Sequence, residues 1–108
     1  MTTSAAPGTS TSATSGSTTL LPGLFSVQKL DWPDGKGDVF LTFNSDQIRS
    51  TSRVLVAAFQ VYQGKPHPQA GADFIVAQVA PFDGGVRIKV KVDYPAPLPI
   101  GTSILVLN

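Results

Sequence analysis

Residues 86–94 alternate strictly, with Val86, Ile88, Val90, Val92 and Tyr94 on one parity and Arg87, Lys89, Lys91 and Asp93 on the other. A period of two is the mark of an extended strand with one dry face and one wet face. A chain that carries such a strand must build a sheet and cover its dry side with a second layer. A pairing partner lies just upstream. Ala72 to Ala80 is rich in β-branched residues, and Pro81-Phe82-Asp83-Gly84-Gly85 joins the two runs. Asp-Gly between apolar runs predicts a hairpin, because glycine adopts positive φ without a Cβ clash.

Other strands are predicted on the same grounds. Leu24 to Leu30 and Asp38 to Asn44 read as a second hairpin joined by residues 31–37, with Val39, Leu41 and Phe43 sharing a face. Arg53 to Gln63 fits a helical face (Leu55, Ala58, Phe59, Tyr62) or a strand face (Leu55, Ala57, Phe59, Val61); Val54, Val56 and Val61 favour a long strand. Ser45 to Ser52 has room for one helical turn, with Asn44 as its cap. Pro95, Pro97 and Pro99 cannot donate to a ladder and predict an extended crossing into a last strand, Thr102 to Leu107. The expected fold is all-β: a small antiparallel sandwich of immunoglobulin-like type, or a partly open barrel, of about six strands.

Residues 1–23 differ in kind from residues 24–108. Through Thr19 they are Ser, Thr, Ala, Gly and Pro after the initiator Met, without charge or large hydrophobe. Such a segment buries too little apolar area to offset an ordering cost of about 1–2 kcal/mol per residue. It is expected to be a flexible arm or linker, hinged at Leu20 to Gly23, ahead of a domain at 24–108. Nothing in it has the basic flank or apolar run of a Sec signal or mitochondrial presequence.

Composition narrows the functions. The chain has no cysteine, hence no disulfide framework, thiolate zinc site or cysteine nucleophile. No apolar run approaches the ~18 residues of a membrane helix. Lys plus Arg number 8 and Asp plus Glu 7, for a net charge of +1, so the electrostatic footprint of a nucleic-acid binder is absent and no such partner is predicted. His67 lies between Pro66 and Pro68 without convergent partners, and reads as a solvated loop residue. Asp31, Asp34 and Asp38 superficially suggest a calcium loop, but Lys36 intrudes and the chain has no Glu to close one. No catalytic, metal or cofactor-binding residue is assigned, and no cofactor is expected. Arg87, Lys89 and Lys91 form a cationic stripe that could meet phosphates or anionic glycans; without interleaved aromatics it reads instead as protection of a wet face or an edge strand. Trp32, Tyr62 and Phe82 are the candidate ligand anchors, as platforms for a glycan or other surface ligand, with Trp32 alternatively capping the core.

The strongest functional hint is a surplus of apolar faces. Arg53 to Gln63, Ala72 to Ala80 and Thr102 to Leu107 carry large aliphatic residues on both parities. Each Val, Ile or Leu left in water forgoes roughly 1.5–3 kcal/mol. Val54, Val56, Ile75, Val79, Leu105 and Leu107 are therefore the candidate interface residues, facing another copy of the chain or a larger scaffold. The expectation is a non-enzymatic structural or assembly protein. A carbohydrate- or surface-binding β-sandwich is the alternative, and a small hydrolase using His67 and an Asp the third reading. In build, though in no motif, the chain resembles small virion subunits such as capsid-decoration or tail proteins.

Overall fold

The computed structural model describes residues 15–21, 23–68 and 71–108, with side chains from Gly23 onward. Its strands are β1 (Ser15–Leu21), β2 (Leu24–Gly35), β3 (Gly37–Asn44), β4 (Arg53–Tyr62), β5 (Lys65–Pro66), β6 (Asp73–Phe82), β7 (Gly85–Asp93) and β8 (Leu98–Leu107). They form a five-stranded sheet in the order β1-β2-β8-β4-β5 and a three-stranded sheet in the order β3-β7-β6, with every ladder antiparallel. The fold is thus all-β, a small sandwich or partly open barrel. Its strand order is not that of an immunoglobulin domain. There the last strand closes the edge of the smaller sheet, whereas here β8 runs through the middle of the larger one.

Alternation builds the core. Val86, Ile88, Val90 and Val92 are all buried, as their parity requires, and meet Leu41 and Phe43 of β3. Phe25 and Val27 of β2 and Ile100, Ile104 and Val106 of β8 face them from the larger sheet. Tyr94, the last residue of the alternating run, lies beyond β7 and is exposed.

The expected hairpin between Leu24–Leu30 and Asp38–Asn44 does not form. β2 continues to Gly35, and β3 joins the other sheet, pairing with β7 rather than β2. Irregular register on either side of Trp32 bends β2 toward the second layer, which is how strands turn the corner of a sandwich. Gly35 occupies the corner because a Cβ there would lie 2.7 Å from Val39 Cγ2 and 3.3 Å from Ile100 Cδ1. Glycine-rich turn chemistry serves a corner as readily as a hairpin, so sequence could not separate them.

Residues 45–52 form no helical turn, and Asn44 ends β3 opposite Gly85 instead of capping a helix. Ser45 Oγ accepts the Gln47 N–H at 3.2 Å, and Ser52 Oγ accepts the Arg49 N–H at 2.9 Å. Hydroxyls that capture backbone donors locally compete with helix formation. The resulting double turn drives Ile48 into the open end of the sandwich, where Gly84 N–H donates to its carbonyl at 2.9 Å. Ser52 Oγ also donates to Asn108 Oδ1, while Asn108 Nδ2 donates to Gln47 O at 2.9 Å. This ties the end of β8 to the loop. Ser52→Ala is expected to lower stability by about 1–2 kcal/mol, because it removes two hydrogen bonds made by a buried hydroxyl, leaving the Arg49 N–H without its acceptor and releasing Asn108. Urea unfolding measures it, and a loss under about 0.3 kcal/mol would mean the clamp is idle.

Part of the expected arm is sheet. Ser15–Leu21 pairs antiparallel with β2, Ser17 opposite Val27, and turns back through Gly23 at φ 78°. Backbone pairing needs no apolar side chain, only an edge with free N–H and C=O groups, and β2 offers one. The expectation of a flexible arm for residues 1–14 falls outside the described residues.

Candidate interaction surfaces

The two sheets have very different outer faces. On the larger sheet, cross-strand pairing aligns Leu24 with Leu107, Ser26 with Leu105 and Gln28 with Ser103 from one side of β8. On the other side Leu55 pairs with Leu105, Ala57 with Ser103 and Phe59 with Gly101. These residues lie on the parity opposite the buried Ile104 and Val106. On the outward positions of β2, β8 and β4 in these paired rows, Arg53 at the margin, opposite Leu107, carries the sole charge. Leu55 is 62% exposed. Ser26, Leu55, Ala57, Ser103 and Leu105 line a shallow depression of about 280 Å³. The Phe59 ring and Val61 lie over Gly101, whose missing side chain makes the room.

On the smaller sheet the outer face is wet. Arg87, Lys89 and Lys91 project from the central strand β7. Phe40 of β3 pairs directly with Lys89 and is 73% exposed, with Lys89 Nζ 5.7 Å from its ring centroid. Arg87 Cζ lies 5.0 Å from the ring centroid of Phe82. Asp38 sits across from Lys91 and places Oδ2 3.8 Å from Lys89 Nζ. The stripe therefore does have aromatic company, supplied by neighbouring strands rather than by its own.

The six candidate interface residues do not share a face. Val54 and Val56 pack on the core from the inner side of β4, since their partners Val106 and Ile104 point inward. Val79 is also inward. A register shift between Val76 and Gln78 changes the parity of β6, so Phe74, Val76 and Val79 all contact the core. Leu105 and Leu107 lie on the outer parity of the larger sheet, and Ile75, opposite Lys91 and 52% exposed, on that of the smaller. Phe40 and Leu55 are outward residues absent from that set, although each sits on the parity opposite residues of a core face.

Nor do the ligand-anchor candidates come together. Trp32 packs on the core and donates its indole N–H to Thr102 Oγ1 at 2.9 Å. It is a cap. Tyr62, at the end of β4, stacks at a tilt of 44° on His67, centroids 4.7 Å apart. His67 is half-buried rather than fully solvated, its backbone N–H donating to Gln60 O at 2.8 Å. Phe82 belongs to the smaller sheet. Among the described residues no cluster of His, Asp or Glu is arranged to hold a metal, and no helix is long and apolar enough to cross a membrane. Asp31, of the superficial calcium motif, holds Lys29 Nζ at 2.6 Å.

Lys29 is a buried residue that sequence reasoning missed. It follows Phe25 and Val27 on the inner parity of β2 and is 4% exposed, with Nζ 4.8 Å from the Trp32 ring centroid. A cation buried there is held by a carboxylate and by the face of an indole. Its signal in the sequence is the continuation of a buried parity into a charged residue.

No family model matches the chain, and comparison with curated proteins and with solved structures returned no match.

Proposed function

We propose that this protein is a non-enzymatic structural subunit that assembles by packing the outer face of its larger sheet against a second copy of itself. The observation that carries the reading is the set of outward rows centred on Leu55 and Leu105, largely apolar and with Arg53 at the margin as their one charge. Antiparallel sheets normally present polar residues on a solvated face, and monomers rarely leave a contiguous apolar patch beyond a few hundred Å². A charged partner would find Arg53, at the margin, as its one charged complement in these rows. A second copy presents the same largely apolar rows, as a two-fold interface requires, and a net charge of +1 offers little self-repulsion. The same build suits a capsid-decoration or tail subunit, the setting in which repeated copies of a small β-domain are needed.

Light scattering at micromolar concentration is expected to give at least a dimer for the intact chain. Leu55→Lys, on the exposed face, is expected to shift the mass to monomer with strand content and melting temperature preserved. Val56 is the wrong probe, because it packs on the core. A monomeric wild type, or a Leu55→Lys variant that keeps the wild-type mass, defeats the proposal; the first result would favour docking on a larger scaffold.

A further inference from the structure

The opposite face supports a second role. We infer that the outer face of the smaller sheet binds single-stranded nucleic acid, with Phe40 as a stacking platform and Arg87, Lys89 and Lys91 as phosphate contacts. Alternate residues on an antiparallel strand stand about 6.8 Å apart, so the cations of β7 form a straight row with the repeat of neighbouring phosphates along an extended strand. Phe40 lies beside the middle of that row, opposite Lys89. Its ring is 73% exposed and contributes nothing to the core. A bare phenyl ring held out of a sheet offers a π-face and no hydrogen bond, which suits sequence-tolerant base stacking.

The groove beside it fits this use. It measures about 320 Å³ and is lined by Phe40, Thr42, Gln78, Ala80, Arg87 and Lys89. Thr42 pairs with Arg87 and Gln78 with Lys89, so a polar group flanks each of these cations. Arg87 Cζ lies 5.0 Å from the Phe82 ring centroid, a cation–π contact that keeps the guanidinium beside the groove. Asp38, opposite Lys91 in register, places Oδ2 3.8 Å from Lys89 Nζ and offsets part of the charge at the middle of the row, so Arg87 and the Phe40 ring carry most of the affinity and Lys89 contributes once it turns from Asp38 to a phosphate. The low net charge argues against duplex binding, which depends on a broad field. It is compatible with a single strand, where stacking supplies part of the energy.

The test is fluorescence anisotropy of a short labelled oligo(dT) at low salt on the full chain. Binding is expected to weaken with salt at a log–log slope of roughly −2, from three contacts at about −0.7 each. Phe40→Ala is expected to lower affinity about tenfold without changing the melting temperature, since the ring is outside the core. Lys89→Gln is expected to flatten the salt slope by about 0.7. Failure to bind at low salt overturns the inference, as does binding indifferent to Phe40→Ala, which would be mere polyanion attraction. Heparin in place of oligo(dT) supplies the remaining arm: tighter binding to it, lost with Phe40→Ala, would assign the face to an acidic glycan and overturn the nucleic-acid reading.

Discussion

Gly85→Ala is expected to destabilise the domain by about 3 kcal/mol, at the upper end for an overpacked site, and to lower the melting temperature by about 15 °C. Gly85 opens β7 opposite Asn44, where β3 and β7 close one end of the smaller sheet. A Cβ there would stand 2.5 Å from the Phe43 carbonyl oxygen, 2.8 Å from Phe82 Cζ and 3.2 Å from Asn44 Cα. The first and last of these are backbone atoms and have no rotamer with which to yield. β3 would have to move, carrying with it Phe43 and its partner Val86, both fully buried. Gly71→Ala is the matched control, because among the described residues nothing lies within 4 Å of its added methyl and its φ needs no glycine. It should cost under about 0.5 kcal/mol. Equal unfolding curves for the two variants would mean that the strands are not in such close contact at Gly85.

The second large effect concerns the buried cation. Asp31→Ala is expected to cost about 2–3 kcal/mol, because it leaves the Lys29 ammonium in the interior without its carboxylate. The figure lies below the usual range for a broken buried pair because the Asp31 side chain is 28% exposed. Lys29→Met should instead fall within about 1 kcal/mol of the wild type, or exceed it, since a methionine of similar length removes the desolvation cost along with the attraction. Placing Asp31→Ala on the Lys29→Met background should then cost almost nothing, and the difference is the coupling energy. Should Asp31→Ala be neutral on both backgrounds, Lys29 is held by its other contacts and the pair is incidental.

Both effects bear on function through the rigidity of β2 and β7. Lys29 and Trp32 lie where β2 bends from one layer to the other, and Trp32 reaches across to Thr102 on β8. That same β8 carries Leu105 and Leu107 outward, so the shape of the proposed assembly face depends on a well-packed inner side. On the smaller sheet, the burial of Val86, Ile88 and Val90 fixes the spacing of Arg87, Lys89 and Lys91 between them. Each outer face inherits its geometry from the core beneath it.

Local chemistry alone determined the all-β class, the β6–β7 hairpin and the inward side of β7, because period-two alternation and Asp-Gly turns act over a few residues. It also showed that β4 and β8 carry aliphatic residues on both parities. What it left open was decided by long-range pairing. The sequence 31–37 suits a hairpin or a corner equally, and only the demand for a second layer over β2 and β8 selects the corner. The parity of Val79 depends on a bulge that shifts one residue, and bulges have no strong local signature. Phe40 meets Lys89 because β3 lies beside β7, a neighbour distant in the chain. The surplus of apolar side chains could be read residue by residue, but the sheet that keeps it, and the sheet that stays wet, are settled only when strands choose partners.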